Sequence, residues 1–238
     1  MANYSQLIKS DFRNIGRDPM LMMASIAPIL LILFALFVFP LVSGLSEKHL
    51  NFPLAQYFTF GYIFLIIVAP MLLGMVYGFI LLDERDGGII GYLSITPLGK
   101  SGYLMVRMVV PTIFSFLFCM LFFLLTGFND FLNLLQLGIL AMIIAAEAPM
   151  MLLFLGAFAG NKVEGIAISK GFGIPLMTVV LDYFFRGDWR ILLSISPLWW
   201  IERVVMNPQY IYPYLFGGAI VHLLFIFLLF RKFINRVG

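Results

Sequence analysis

Long apolar runs alternate along this chain with short polar ones, and their lengths match a membrane rather than a soluble core. A spanning helix takes about 20 mostly apolar residues. Five runs satisfy or nearly satisfy that length: Met20 to Val42, Tyr57 to Leu82, Tyr103 to Leu125, Leu134 to Ala159 and Tyr212 to Phe230. A sixth, Gly171 to Phe185, has about 15 residues and reaches about 22 Å at 1.5 Å per residue, unless it starts near Ile166 with Lys170 snorkelling. It is counted as a short span. The stretch after it, "WRILLSISPLWWIERVVMNP", is apolar in patches but holds Ser194, Ser196, Pro197, Glu202 and Arg203. Unsatisfied backbone and charges are costly facing lipid, so segment 189–206 predicts a re-entrant or interfacial element rather than a seventh span. The expected fold is an all-α membrane protein with six transmembrane helices in one domain, 1–238.

Residues 4–18, "YSQLIKSDFRNIGRD", follow a different pattern. Tyr4, Leu7, Ile8, Phe12 and Ile15 recur at helical spacing, with Lys9, Asp11, Arg13 and Asn14 elsewhere and Pro19 as a stop. This predicts an amphipathic helix lying on the membrane surface, with packing on a soluble partner as the alternative.

Composition agrees with the pattern. The chain is 62% hydrophobic and only 11% charged, whereas a soluble domain carries roughly 25% charged residues. Its one cysteine, Cys119, lies inside an apolar run, so no disulfide forms within the chain. With six spans both termini share one side. That side collects Lys9, Arg13, Arg17, Arg85, Lys100, Arg107, Lys162, Lys170, Arg231, Lys232 and Arg236, against Lys48, Arg186, Arg190 and Arg203 on the other. The excess predicts that both termini are cytoplasmic. The length of the first apolar run and its mixed-charge flank argue against a cleaved signal peptide.

The connection after the second span is the most informative loop. "SITPLGKS" ends like a phosphate-binding loop, but Ser94 stands where the first glycine is required and Pro97 removes an amide from the middle. Half a motif does not make a nucleotide cradle. Asp83, Glu84, Arg85 and Asp86 leave the second span; Ile89, Ile90, Leu93 and Ile95 then form a short apolar surface between Gly88 and Pro97. The connection 83–102 is long, since helix connections in bundles usually take about 2 to 8 residues. An apolar knob flanked by charge is a shape that a soluble partner can grip.

"LLDERDGGIIGYLSITPLGKSGYLMVR" resembles the loop between the second and third membrane helices of type-2 ABC exporter permeases, with its acidic-basic-acidic cluster, glycine, short coupling helix and Thr-Pro. "GNKVEGIAISKGFGIPLM" and "SISPLWWIERV" resemble the same family's loop before the fifth span and its extracellular segment before the sixth. The likeness covers nearly the whole chain. It implies a membrane subunit that pairs with a second copy or a related permease and docks a separate ATP-binding-cassette ATPase. ATP and magnesium would sit on that partner, with no cofactor, metal, catalytic residue or nucleic acid on this chain. The ATPase-coupling residues implied are Asp83, Glu84, Arg85, Asp86, Gly88, Ile89, Leu93, Thr96, Pro97, Asn161, Lys162 and Glu164.

Three ionisable residues lie within the spans and could line a substrate path. Glu147 is near the middle of the fourth, where it must be protonated, paired or wetted. Cationic cargo, a proton relay and a structural hydrogen bond all fit it. Asp182 is near the end of the fifth span, with Arg186 expected as its partner one turn on. His222, midway along the sixth, reads as a hydrogen-bonded core histidine. With 26 Phe and 14 Met, a deformable lining would suit hydrophobic drugs or amphipathic peptides. Two other classes compete: an intramembrane lipid-modifying enzyme and an ion-coupled secondary transporter. The first lacks clustered His, Asp or Glu; the second lacks a visible internal repeat.

Overall fold

The computed structural model describes residues 4–89, 99–128, 131–185 and 187–237. Every regular element among these is helical. Six are long and apolar enough to cross a membrane: Pro19–Leu50, Leu54–Asp86, Gly102–Thr126, Leu134–Phe158, Lys162–Phe184 and Pro208–Arg236, spans 1 to 6. The amphipathic segment is the N-terminal helix Tyr4–Arg17. Span 5 starts earlier than the apolar run suggested, at Lys162, and passes through a tighter turn at Lys170–Phe172, so it is not short.

Spans 2 and 4 form the hub. Their most apolar stretches are 78% and 67% buried, against 17 to 33% for the other four. Glycine permits this contact: a Cβ on Gly74 would lie 2.2 Å from the Ala148 carbonyl oxygen, and one on Gly78 would meet Leu155 at 2.7 Å. Lipid tails are as apolar as leucine, so helices in a bilayer gain by close van der Waals approach rather than by escaping water.

Besides the tighter turn in span 5, spans 1 and 4 depart from regular helix, each next to a proline. In span 1, Pro40 has no N–H to donate, and the preceding turn, Phe34–Val38, widens so that the Phe39 N–H bonds the Phe34 carbonyl. In span 4, Pro149 leaves the Ala145 carbonyl without its usual donor, and the helix divides into Leu134–Ala145 and Glu147–Phe158. Glu147 therefore opens a helix in the middle of a span, where the positive end of the helix dipole favours a carboxylate.

Between spans 5 and 6 the chain forms a tight helical turn, Asp188–Ile195, and then a helix, Pro197–Met206. The helix of this insert packs into the bundle. Leu198, Ile201 and Val204 are buried in the same apolar cluster as Ile63 of span 2 and Leu140 of span 4. Trp200 packs onto Gly217 of span 6, where a Cβ would approach the indole to 2.1 Å.

The span 2–4 crossing gives a direct test. Gly74→Leu should cost about 3 kcal/mol by overpacking and lower the thermal unfolding midpoint in detergent. Gly44→Leu, where a Cβ meets nothing within 4 Å, should leave the midpoint close to wild type.

Candidate functional site

Charged side chains gather at three levels of the bundle. At the end that holds both termini, Arg107 of span 3 is 2% exposed and lies between two carboxylates. Its Nη1 bonds Asp11 of the N-terminal helix and its Nη2 bonds Glu84 of span 2, while Nε reaches Glu84 Oε2 at 3.1 Å. The Tyr103 hydroxyl donates to Glu84 and accepts from Arg107 Nε at 3.2 Å. Two carboxylates share one guanidinium, and burial pushes the Asp11 carboxyl up against the opposing pull of Arg107. The N-terminal helix thus turns Asp11 inward, while Phe12 stays 58% exposed and meets Phe114 of span 3 edge-on. That reverses the expectation of Asp11 on a solvated face, because an unpaired buried Arg107 would be far more costly.

A second lattice lies beside it. Lys162 Nζ sits 2.9 Å from Asp18 and 2.7 Å from Asp83, and the Lys162 N–H donates to Asp86 at 3.1 Å. Asp18 also caps span 1, accepting from the Met20 and Leu21 amides, and the Lys162 hydrogen bond holds its carboxyl below the usual range. Arg85 donates to the carbonyls of Gly156 and Ala159, and Arg236 to that of Ala157 at 2.7 Å, so span 4 ends on two guanidinium groups. Asn161 accepts from the Glu164 amide at 2.8 Å while Glu164 accepts from the Gly160 amide, and this pair starts span 5.

Midway along the bundle, Glu147 Oε1 is 3.0 Å from His222 Nε2, and His222 Nδ1 is 2.7 Å from the Gly218 carbonyl oxygen. Both residues are buried, and Glu147 lines a cavity of about 510 Å³ between spans 4, 5 and 6. At the far end Asp182 accepts from Arg203 at 2.6 Å and from the Trp199 indole at 3.1 Å, with Arg190 at 3.9 Å. Burial, then the adjacent Asp182 carboxylate, pushes Glu202 up to about 10, which makes it a neutral acid at pH 7.

The coupling residues separate as follows. Asp83, Asp86 and Lys162 form the exposed lattice; Glu84 is buried under Arg107; Arg85, Asn161 and Glu164 bond backbone. Gly88 turns the chain with φ of 71°, and Ile89 is 44% exposed. Leu93, Thr96 and Pro97 lie outside the described residues, as does Arg186, the expected partner of Asp182. The partner observed for Asp182 is Arg203, 21 residues on. Sequence reasoning missed Asp11, Tyr103 and Arg107. An arginine one turn inside an apolar run was the signal available for Arg107.

Residues 11–230 match the family described as fluoroquinolones export permease protein Rv2686c-like. The chain is 25% identical over 233 residues to the fluoroquinolones export permease proteins MT2760 and Rv2686c of two Mycobacterium tuberculosis strains, CDC 1551 / Oshkosh and ATCC 25618 / H37Rv. Those alignments cover 94% of this chain and 91% of each relative. No solved structure matches it.

Two outcomes follow from the charge clusters. Arg107→Met strands two buried carboxylates and should cost about 3–5 kcal/mol of stability in detergent, part of which a second change, Glu84→Gln, restores. For Glu202, the raised folded value means that the native state holds a proton which the unfolded state has lost above its ordinary value of 4.5. Its stabilising contribution is therefore complete at low pH and drains away as pH rises toward 10. Wild type should lose unfolding free energy between pH 7 and 10 more steeply than Glu202→Gln, by up to about 1.4 kcal/mol per unit.

Proposed function

The chain belongs to the Rv2686c-like fluoroquinolones export permease family, and from that premise we propose that it is the membrane subunit of an ATP-driven ABC exporter. It moves small amphipathic drugs, fluoroquinolones among them, out of a bacterial cell by alternating access. The chain works as a dimer, with a second copy or a related permease, in the plasma membrane. Both termini face the cytoplasm, and a separate ATPase docks beneath each copy, binding ATP and magnesium.

The observation that carries this reading is the Lys162 lattice. One ammonium ties the start of span 5 to Asp83 at the end of span 2 and to Asp18 at the start of span 1. The connection 83–102 and the start of span 5, 161–170, are the segments whose sequences resemble cytoplasmic loops of type-2 exporters. A push on the 83–102 connection reaches the starts of spans 1 and 5 through this shared lysine. Each bond is weak at a partly exposed site, about 0–1 kcal/mol, so the lattice can rearrange within a working cycle.

Export itself is tested by drug accumulation. Cells expressing the chain with its ATPase should hold less norfloxacin, and a Walker-lysine variant of the ATPase should abolish the difference; efflux that persists with the inactive ATPase would sink the proposal. Coupling is tested separately. Ile89→Glu places a charge on an exposed apolar position without disturbing the core. It should weaken ATPase docking by about 2 kcal/mol, roughly 30-fold, in a pull-down titration while membrane insertion stays unchanged.

A further inference from the structure

The Glu147–His222 pair carries one mobile proton however it is drawn. A carbonyl oxygen only accepts, so His222 Nδ1, 2.7 Å from the Gly218 oxygen, bears hydrogen. Nε2 then meets Glu147 either as N–H facing a carboxylate or as a lone pair receiving a carboxylic O–H. Both forms are neutral overall, which suits a site buried in hydrocarbon. His222 is the hydrogen-bond partner of the Glu147 side chain among the described residues, and it engages one of the two carboxylate oxygens.

The cavity beside the pair has a volume typical of drug-sized sites, about 510 Å³ within the usual range of roughly 300–1,000 Å³. Apart from Glu147 its described lining is apolar, with Met150, Met151, Phe154, Phe172 and Phe225 among the contributors. Spans 4 and 6 pack together, while span 5 packs on span 2, on the end of span 4 and on the Pro197–Met206 helix rather than along span 6, which leaves the groove. At its rim Ile174 is 75% exposed, and a Cβ on Gly171 would meet nothing within 4 Å. An apolar body fits such a lining, and the one charge-bearing group in it is an acid.

Apart from Lys170 at the rim, charges on the neighbouring elements are engaged elsewhere or distant. Arg85 of span 2 and Arg236 of span 6 sit at the level of Gly156 to Ala159, about 13 Å along the helix from Glu147. Lys232 lies over the Phe158 ring, and Arg231 is within the same turn of span 6. Arg107 is held by Asp11 and Glu84, while Lys162 is held by Asp18, Asp83 and Asp86; Glu164 bonds the Gly160 amide. On the far side Arg203 and Arg190 face Asp182, against which Glu202 sits. Lys170 is exposed next to Gly171.

We propose that this cavity binds an amphipathic molecule bearing a protonated amine, and that the ammonium exchanges for the proton of the Glu147–His222 pair. On binding, the ammonium takes the Glu147 carboxylate as counter-ion. One proton leaves for water, His222 stays neutral on Gly218, and the site remains neutral throughout. Neutral and anionic amphiphiles lack this exchange. The inference rests on the export reading only for its purpose, since binding needs no ATPase.

The test uses the full chain in lipid nanodiscs without any ATPase, titrated calorimetrically with propranolol and with its neutral N-acetyl derivative, empty nanodiscs being subtracted. The amine should bind about ten- to hundred-fold more tightly than the neutral analogue, as a charge-assisted hydrogen bond predicts. Heats measured in two buffers of different ionisation enthalpy should show about one proton released per amine. Glu147→Gln, which keeps a donor toward His222, should bring amine affinity down to that of the analogue and leave the analogue unchanged. Gly171→Trp should block both ligands from the rim. Equal wild-type affinities, or no proton release, would overturn the proposal even if Glu147→Gln failed to fold. Drug efflux that fails while this binding stands would instead count against the export reading alone.

Discussion

A charge placed in hydrocarbon must find an opposite charge or a carbonyl, and that constraint decides how these helices are arranged. Apolar contact alone is undemanding in a bilayer, where lipid competes on equal terms for every leucine. Ionic contacts are different: each must be made, and each has few possible partners. Arg107 joins the N-terminal helix, span 2 and span 3; Lys162 joins spans 1, 2 and 5; Glu147 and His222 join spans 4 and 6; Asp182 and Arg203 join span 5 to the Pro197–Met206 helix. Together these contacts reach every span. Glycine then lets spans 2 and 4 approach within backbone distance, which converts a loosely specified set of helices into one arrangement.

The clusters differ in how firmly they hold. Arg107 is buried with bidentate contact to Glu84, so its network belongs to the part that stays together. Lys162 and its aspartates are partly exposed, and their contacts are individually weak. At the far end Glu202 Oε2, Arg203 Nε, Ser196 Oγ and Asn207 Nδ2 are buried with no hydrogen-bond partner among the described residues. Unsatisfied buried polar atoms each forfeit about 1–3 kcal/mol, so this end is held less favourably than the hub. The stiff part of the molecule is the span 2–4 hub with the Arg107 network, and the compliant parts lie on either side of it.

Much of the fold was legible because hydropathy needs no partner to be read. Six runs gave six spans, and Pro149 marked the break in span 4. Span 5 looked short because Lys162, Glu164 and Lys170 interrupt its apolar run; the helix nonetheless starts at Lys162, whose ammonium is satisfied by Asp18 and Asp83 and whose backbone N–H bonds Asp86. The sites were half legible. Glu147, Asp182 and His222 stood out one by one as ionisable groups in apolar sequence, but Glu147 and His222 are 75 positions apart, and no local rule pairs them. Asp11 was hidden by its own helix, where it alternates with solvent-facing charges. Arg107 was absorbed into a count of basic residues at a membrane boundary. In both cases the decisive contact is with a distant element, which periodicity cannot encode.

The position of Glu147 ties these features together. Pro149 interrupts the backbone hydrogen bonding of span 4 at the level where its carboxyl meets His222, so the least stiff point of the hub and its mid-membrane acid coincide. Below that point span 4 is fixed by Arg85 and Arg236 on its last carbonyls, next to the Lys162 lattice. Above it, span 6 carries the glycines on which Trp200 and the far-end insert rest. The terminal lattice and the mid-span break thus lie at the two ends of one helical segment, Glu147–Phe158, with the Glu147–His222 pair at the break. Bending there changes the separation between Glu147 and His222 before it changes any apolar contact of the hub, because a hydrogen bond at 3.0 Å tolerates less movement than a methionine side chain.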